Sequence, residues 1–188
     1  MSTEYYPWGG DFTVCSTTSC CAVVLLTIEY TPPQIVAIYG PLKTENIGIE
    51  KIVANVISNP HIRYVVVCGE DIRGHRSGSS LVCLHQYGID DQHRIINAPG
   101  AIPYIENLSE EAITRFQNQV EIINLIGDTN QASITKAVTD ATAKNPSSFG
   151  EPYIAIRMKH ETQTLKDTRA IHSKIVIDYQ GHVKKRGS

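Results

Sequence analysis

RYVVVCGEDIRGHRSGSS, residues 63–80, sets the fold class in its first half and raises the question of function in its second. Tyr64–Cys68 is an unbroken apolar, β-branched run, the composition of a strand covered on both faces. It empties into a segment carrying Glu70, Asp71, Arg73 and Arg76, three glycines and His75. One glycine is enough to turn a chain. A loop this charged and this rich in glycine points instead to the placing of a side chain, and the imidazole of His75 is the one with ligand chemistry.

Working outward, the same grammar repeats. CAVVLLTI (21–28) is a second buried strand, broken by Pro32 and Pro33 from QIVAIYG (34–40). TENIGIEKIVANVISN (44–59) carries Ile49, Ile52, Val53, Val56 and Ile57 at helical spacing, and Pro60 closes it. Downstream, SGSSLVCLHQYG (77–88) predicts a helix with Leu81, Cys83 and Leu84 inward and Gly88 at its end. HRIINAPG (93–100) predicts a strand. SEEAITRFQNQVEIINLI (109–126) predicts one long helix with Ser109 as N-cap, and QASITKAVTDATAK (131–144) another. Strand alternating with helix gives an α/β fold: a Rossmann-like, mostly parallel sheet with crossover helices. Residues 1–18 read as an N-terminal arm with a short strand near Asp11–Cys15. PYIAIRM (152–158) and SKIVIDYQGHV (173–183) alternate apolar and polar residues, so 151–188 is expected to form an antiparallel β-hairpin extension. The 188 residues fit a single domain spanning 1–188.

Composition narrows the function. The chain is 41% hydrophobic and 19% charged with a net charge of −2, and its basic residues are dispersed; this argues against a nucleic-acid partner. Cys15, Cys20, Cys21, Cys68 and Cys83 form no C-x-x-C pair. Their odd number, with no signal peptide, points to reduced thiols in a cytoplasmic protein. The longest apolar run, CCAVVLLTIEY, is far short of the ~20 residues a bilayer span needs, so no membrane segment is expected.

In an open parallel sheet, ligands bind where the loops leave the strands' carboxyl ends. Three loops there are longer or richer in glycine than a bare connection requires: GPLKTENIG (40–48), CGEDIRGHRSG (68–78) and NAPGAIPYIEN (97–107). No G-x-G-x-x-G, Walker lysine or G-x-S-x-G motif occurs in them. His75 lacks neighbouring ligands at zinc spacing. A single imidazole can still supply one axial ligand to a metal already held by a macrocycle, a haem or a corrinoid. His61, His85, His93, His160, His172 and His182 read as structural.

GPLKTENIGIEKIVANVISNPHIRYVVVCG (40–69), EDIRGHRSG (70–78) and GAIPYIENLSEEAITRFQNQVEIINLIG (100–127) closely resemble the corrinoid-carrying A subunit of methyltetrahydromethanopterin:coenzyme M methyltransferase of methanogenic archaea. The resemblance runs from about Ala22 to Gly127. It implies a cobalamin-binding methyl carrier that takes a methyl group from a tetrahydropterin donor and passes it to a thiol such as coenzyme M, working with methyltransferase partner subunits. His75 would be the metal ligand and catalytic residue, with Gly69, Gly74, Ser77 and Gly78 around it. Thr44, Glu45, Asn46 and Gly48, and Gly100, Ala101, Ile102, Pro103 and Tyr104, would line the corrin pocket. A storage module that holds cobalamin without turnover is the alternative, and a homo-oligomer sharing the cofactor is compatible with either.

Two departures qualify the resemblance. Cobalamin-binding domains of other methyltransferases and mutases carry D-x-H-x-x-G, whose aspartate orients the histidine; here Arg73 holds that position. Asp71 is therefore the expected partner of the His75 ring, ahead of Glu70, with a backbone carbonyl as the other alternative. The family's protein usually ends in a hydrophobic anchor helix; the polar ending here is that of a soluble homologue or of a chain cut before its anchor, with the former favoured, and sodium pumping does not carry over.

Overall fold

A computed structural model describes residues 5–156 and the strand segments 170–172, 175–177 and 183–185. The chain divides into two compact units, Met1–Met158 and Lys159–Ser188. The first has, in order, β1 (Thr13–Val14), β2 (Cys21–Leu25), β3 (Ile38–Pro41), α1 (Ile47–Ser58), β4 (Tyr64–Gly69), α2 (Ser77–Tyr87), α3 (Glu110–Gln119), β5 (Glu121–Ile126) and α4 (Gln131–Lys144). The sheet order is β1-β3-β2-β4-β5. β2, β3, β4 and β5 run parallel, and β1 is antiparallel on the β3 edge. The second unit holds a three-stranded antiparallel sheet, β6 (Ala170–His172), β7 (Ile175–Ile177) and β8 (Val183–Lys185).

The α/β expectation holds because β2 and β4 are apolar on both faces. Ala22, Val24, Val65 and Val67 pack toward α1, α2 and α3, with Ile49, Leu81, Leu84 and Phe116 in the same core. Cys21, Val23, Val66 and Cys68 pack toward Ile134, Val138 and Ala141 of α4. Alternate residues of one strand thus bury themselves in opposite layers, which only a doubly covered sheet allows. The helices α1, α2 and α4 lie where the periodicity put them, and Gly88 ends α2. Cys83 is only half-buried, at the margin of its core.

Three expectations fail. The helix predicted over 109–126 stops at Gln119, and Glu121–Ile126 pairs in parallel with Tyr64–Gly69 as the last strand of the sheet. A short apolar run such as EIINLI satisfies helical and strand spacing equally, and the free edge of β4 decides it. The strand predicted over 93–100 is a folded-back loop with two isolated bridges, Ile89–Ile95 and Arg94–Tyr104. His93 and Asn97 both have positive φ there, which a strand cannot accommodate. The stretch 152–156 forms no strand either; Tyr153, Ala155 and Ile156 pack on the core, and 157–158 lie outside the described residues.

The end of α3 is held by a buried side chain. Gln119, 1% exposed, donates through Nε2 to the carbonyls of Val56, Asn59 and Ile62 at 3.0–3.2 Å. Its Oε1 accepts from Arg115 Nε at 2.8 Å. It therefore ties the carbonyls at and just beyond the end of α1 to the end of α3. Gln119→Leu keeps the volume, removes these bonds and leaves Arg115 Nε without its acceptor. Urea unfolding of that variant is expected to show a loss of about 2–3 kcal/mol.

Candidate functional site

The loops leaving β3 and β4 emerge on either side of β2, at the carboxyl edge of the sheet. The first becomes α1: Asn46 Oδ1 accepts from Ile47 N–H, and Thr44 Oγ1 accepts from Gly48 N–H. These caps place Glu45 between them, with its side chain 5% exposed. The second loop becomes α2 by an unusual start, since Arg76 at the N-cap is left-handed (φ 41°) and offers no side-chain cap. Asp71 does that work from five residues upstream. Its carboxylate accepts from Gly78 N–H, Ser79 N–H and Ser79 Oγ at 2.7–2.9 Å.

That geometry overturns the expected role of Asp71. Its oxygens are spent on the helix start, and the ring of His75 is held by Glu45, with Nδ1 3.0 Å from Oε2. The sequence hides this pair because its members lie 30 residues apart on two loops. Burial alone would raise the pKa of Glu45; hydrogen bonds from its own N–H, from Ile102 N–H and from His75 more than offset this and hold it below the usual carboxylate range. An ionised carboxylate only accepts, so Nδ1 carries a proton, and a neutral ring in this tautomer has its lone pair on Nε2. The His75 side chain is 62% exposed. The arrangement presents one oriented imidazole lone pair to solvent.

The third loop is an excursion between α2 and α3 rather than the exit of a strand, yet it reaches the same point. Ile102 N–H donates to Glu45 Oε1 at 3.1 Å. Gly100 is buried so tightly that a Cβ there would sit 2.6 Å from His75 O, 2.9 Å from Ser80 Oγ and 3.1 Å from Glu45 Cγ. The far end of the loop is pinned by a second buried carboxylate of α1. Glu50, 1% exposed, accepts from Glu106 N–H, Asn107 N–H and Asn107 Nδ2 at 2.5–2.8 Å. Sequence reasoning passed over Glu50; an acid on the inward side of an apolar helix was the available signal.

Of the other residues singled out, Ser77 and Gly78 are buried under the start of α2, where a Cβ on Gly78 would meet Leu26 at 2.5 Å. Pro103 is buried and Tyr104 half-buried; the Arg94 guanidinium lies 5.6 Å from the Tyr104 ring. Ala101 is exposed. Gly69 and Gly74 shape the loop through positive φ and stand apart from the Glu45 cluster, with Gly69 packed against Ile28. Ile47, Ile72 and Ile102, one from each loop, are 39%, 55% and 59% exposed. Among the described residues, no three His, Cys, Asp or Glu side chains come together as a metal site. A metal held here would thus need most of its ligands from elsewhere.

Two outcomes test this geometry. The Glu45 tether is fully present above about pH 4.3 and is lost as pH falls through its lower folded value. Amide-exchange protection of Ile102 is therefore expected to be flat from pH 7 to 5 and to fall in more acidic solution; Glu45→Gln should weaken it at every pH. Glu50→Ala strands three donors and should lower stability by about 2–4 kcal/mol in chemical unfolding.

Residues 2–166 match the profile of the family described as the A subunit of tetrahydromethanopterin S-methyltransferase. The A subunit of the provisionally named methyltransferase Mtx of Methanosarcina barkeri is 44% identical over 155 residues, covering 82% of this chain and 79% of that protein. The tetrahydromethanopterin S-methyltransferase A subunit of Methanohalophilus mahii is 41% identical, over 82% of this chain and 65% of its own length. The first A subunit of the same enzyme from Methanothermobacter thermautotrophicus is 46% identical, over 80% of this chain and 65% of its own. The chain thus spans just under two thirds of the latter two relatives. Among the described residues no helix is long and apolar enough to cross a membrane. With a profile match across most of its length and relatives at this identity over four fifths of it, the chain belongs to the family of tetrahydromethanopterin S-methyltransferase A subunits.

Proposed function

We propose that this chain is the corrinoid-binding member of a methyl-transfer system, in which His75 Nε2 would ligate the cobalt. The observation that carries the reading is the exposed His75 ring fixed through Nδ1 by a buried carboxylate. A neutral imidazole locked in one tautomer is what a metal ion takes as a ligand. A lone histidine suits a metal whose remaining ligands come with the cofactor. The three exposed isoleucines on the surrounding loops suit a broad, largely apolar face. The residues present fit the group.

When bound, the corrinoid supplies the cobalt that carries the methyl group. The protein's share is orientation and charge. Glu45 keeps the proton on Nδ1 and strengthens Nε2 as a donor, while its other oxygen holds the 100–103 loop beside the ring. Glu50 fixes the far end of that loop, and Asp71 fixes the start of α2. A tetrahydropterin donor and a thiol acceptor would be served by partner proteins, in line with the naming of the relatives as one component of a larger enzyme.

The test is an absorbance spectrum after mixing with cob(III)alamin and desalting. The native chain should retain the colour with a nitrogen-ligated spectrum. His75→Ala should lose the colour or show a shifted axial-ligand spectrum, and Glu45→Gln should weaken retention by about 10–100-fold. A native chain that retains no corrinoid would overturn the assignment.

A further inference from the structure

The sheet of the first unit ends on an open edge. Among the described residues, nothing pairs with β5 on the side away from β4. Glu121 N–H and Gly127 N–H donate to Arg63 O and Gly69 O, so β5 turns its odd-numbered amides toward β4. Strand alternation then leaves the N–H and C=O groups of Ile122, Asn124 and Ile126 on the free edge. One of these, Ile126 N–H, is taken locally by Asn124 Oδ1 at 3.1 Å. The edge is apolar on both faces. Ile122 and Ile126 are half-buried against the layer of α1, α2 and α3. Ile123 and Leu125 are half-buried on the side of α4, which lies mainly over β2 and β4. Glu121–Ile126 contains no lysine or proline, the residues that commonly guard an edge, and its one charge stands at its start.

We propose that this edge is a docking surface for a second copy of the chain, with β5 pairing antiparallel to its twin across a two-fold axis at Asn124. A two-fold interface requires that the strand complement itself. In this register each Asn124 faces its twin, each Ile122 faces an Ile126, and each Ile123 faces a Leu125. The first two are the facing pairs that exchange hydrogen bonds in an antiparallel ladder, so every open N–H and C=O of the edge finds a partner. Apolar side chains meet apolar side chains on both faces. Glu121 falls opposite Gly127, so no like charges are opposed. Sliding the pairing by two residues in either direction sets Ile122 or Ile126 against Asn124. A strand of another protein could make the same backbone bonds, but the matched apolar pairs and the absence of opposed charges belong to this sequence paired with itself. Asn124 also sets the strength. Pairing must displace its Oδ1 from Ile126 N–H, which makes the dimer reversible. Antiparallel pairing points the two carboxyl edges in opposite directions, so the two His75 loops stay open at opposite ends of the dimer.

Sedimentation equilibrium of the full chain between about 5 and 500 μM tests the proposal. The expected result is a monomer–dimer equilibrium, the mass rising from 20.8 kDa toward twice that value. Asn124→Lys sets two like charges at the axis and should leave the chain monomeric throughout. Asn124→Val frees the Ile126 amide and should tighten the dimer about fivefold. Asn124 is exposed, and both variants are checked for a native far-ultraviolet spectrum and melting temperature. Amide exchange of the native chain gives a residue-level readout that needs no variant. Protection of the Ile122 and Asn124 amides should rise with concentration, whereas that of Ile123 and Leu125, bonded to β4, should not. A chain that stays monomeric at the highest concentration overturns the proposal and leaves the edge to a strand of another protein. A dimer that Asn124→Lys leaves intact or Asn124→Val fails to tighten overturns it as well. So does a dimer in which the Ile122 and Asn124 amides gain no protection, because it forms through another surface.

Discussion

A carboxylate taken out of water must find donors, and Glu45 finds them on two other loops at once. One oxygen takes the Ile102 amide and the other takes the His75 ring. The site depends on this one group, because it alone joins all three loops; Asp71 and Glu50 each fasten only one of them. Neutralising the acid would release the loop and the ring together. The pair also divides its labour sensibly. Glu45 is buried where its hydrogen bonds are strong, whereas His75 is exposed where a ligand can reach it.

The support for Glu45 comes from the same short helix start. Thr44 and Asn46 cap α1, and Glu50, one turn further on, reaches the opposite end of the 100–107 loop. An acid just before α1 and another in its first turn thus bracket a loop that has no helix or strand of its own. The similarity of residues 44–48 and 100–107 to one family's motifs acquires a physical meaning here. The two segments are the two halves of one set of hydrogen bonds.

Much of this was legible in the sequence. The β-branched runs of β2 and β4 announce a doubly covered sheet, and α4 begins and ends where its periodicity does, between Gln131 and Lys144. His75 stands out because glycines and charges around one imidazole are costly to keep for a turn alone. What escaped was non-local. Glu121–Ile126 became a strand because β4 offered an unpaired edge, and no local propensity reports that. Asp71 looked like the ring's partner because it is near in sequence, yet its nearer need was the uncapped start of α2. The pairing of Glu45 with His75 requires knowing that β3 and β4 flank β2, which is a fact about topology rather than spacing.

The cysteines carry a consequence of their own. Burial pushes the thiols of Cys21 and Cys68 up to about 12, and burial likewise raises Cys15, Cys20 and Cys83. Sulfur attacks carbon as the thiolate, so at neutral pH these groups are poor nucleophiles. For a member of a methyltransferase family this is chemical discretion. A reactive methyl group in the vicinity would find these cysteine thiols weak competitors of the intended acceptor.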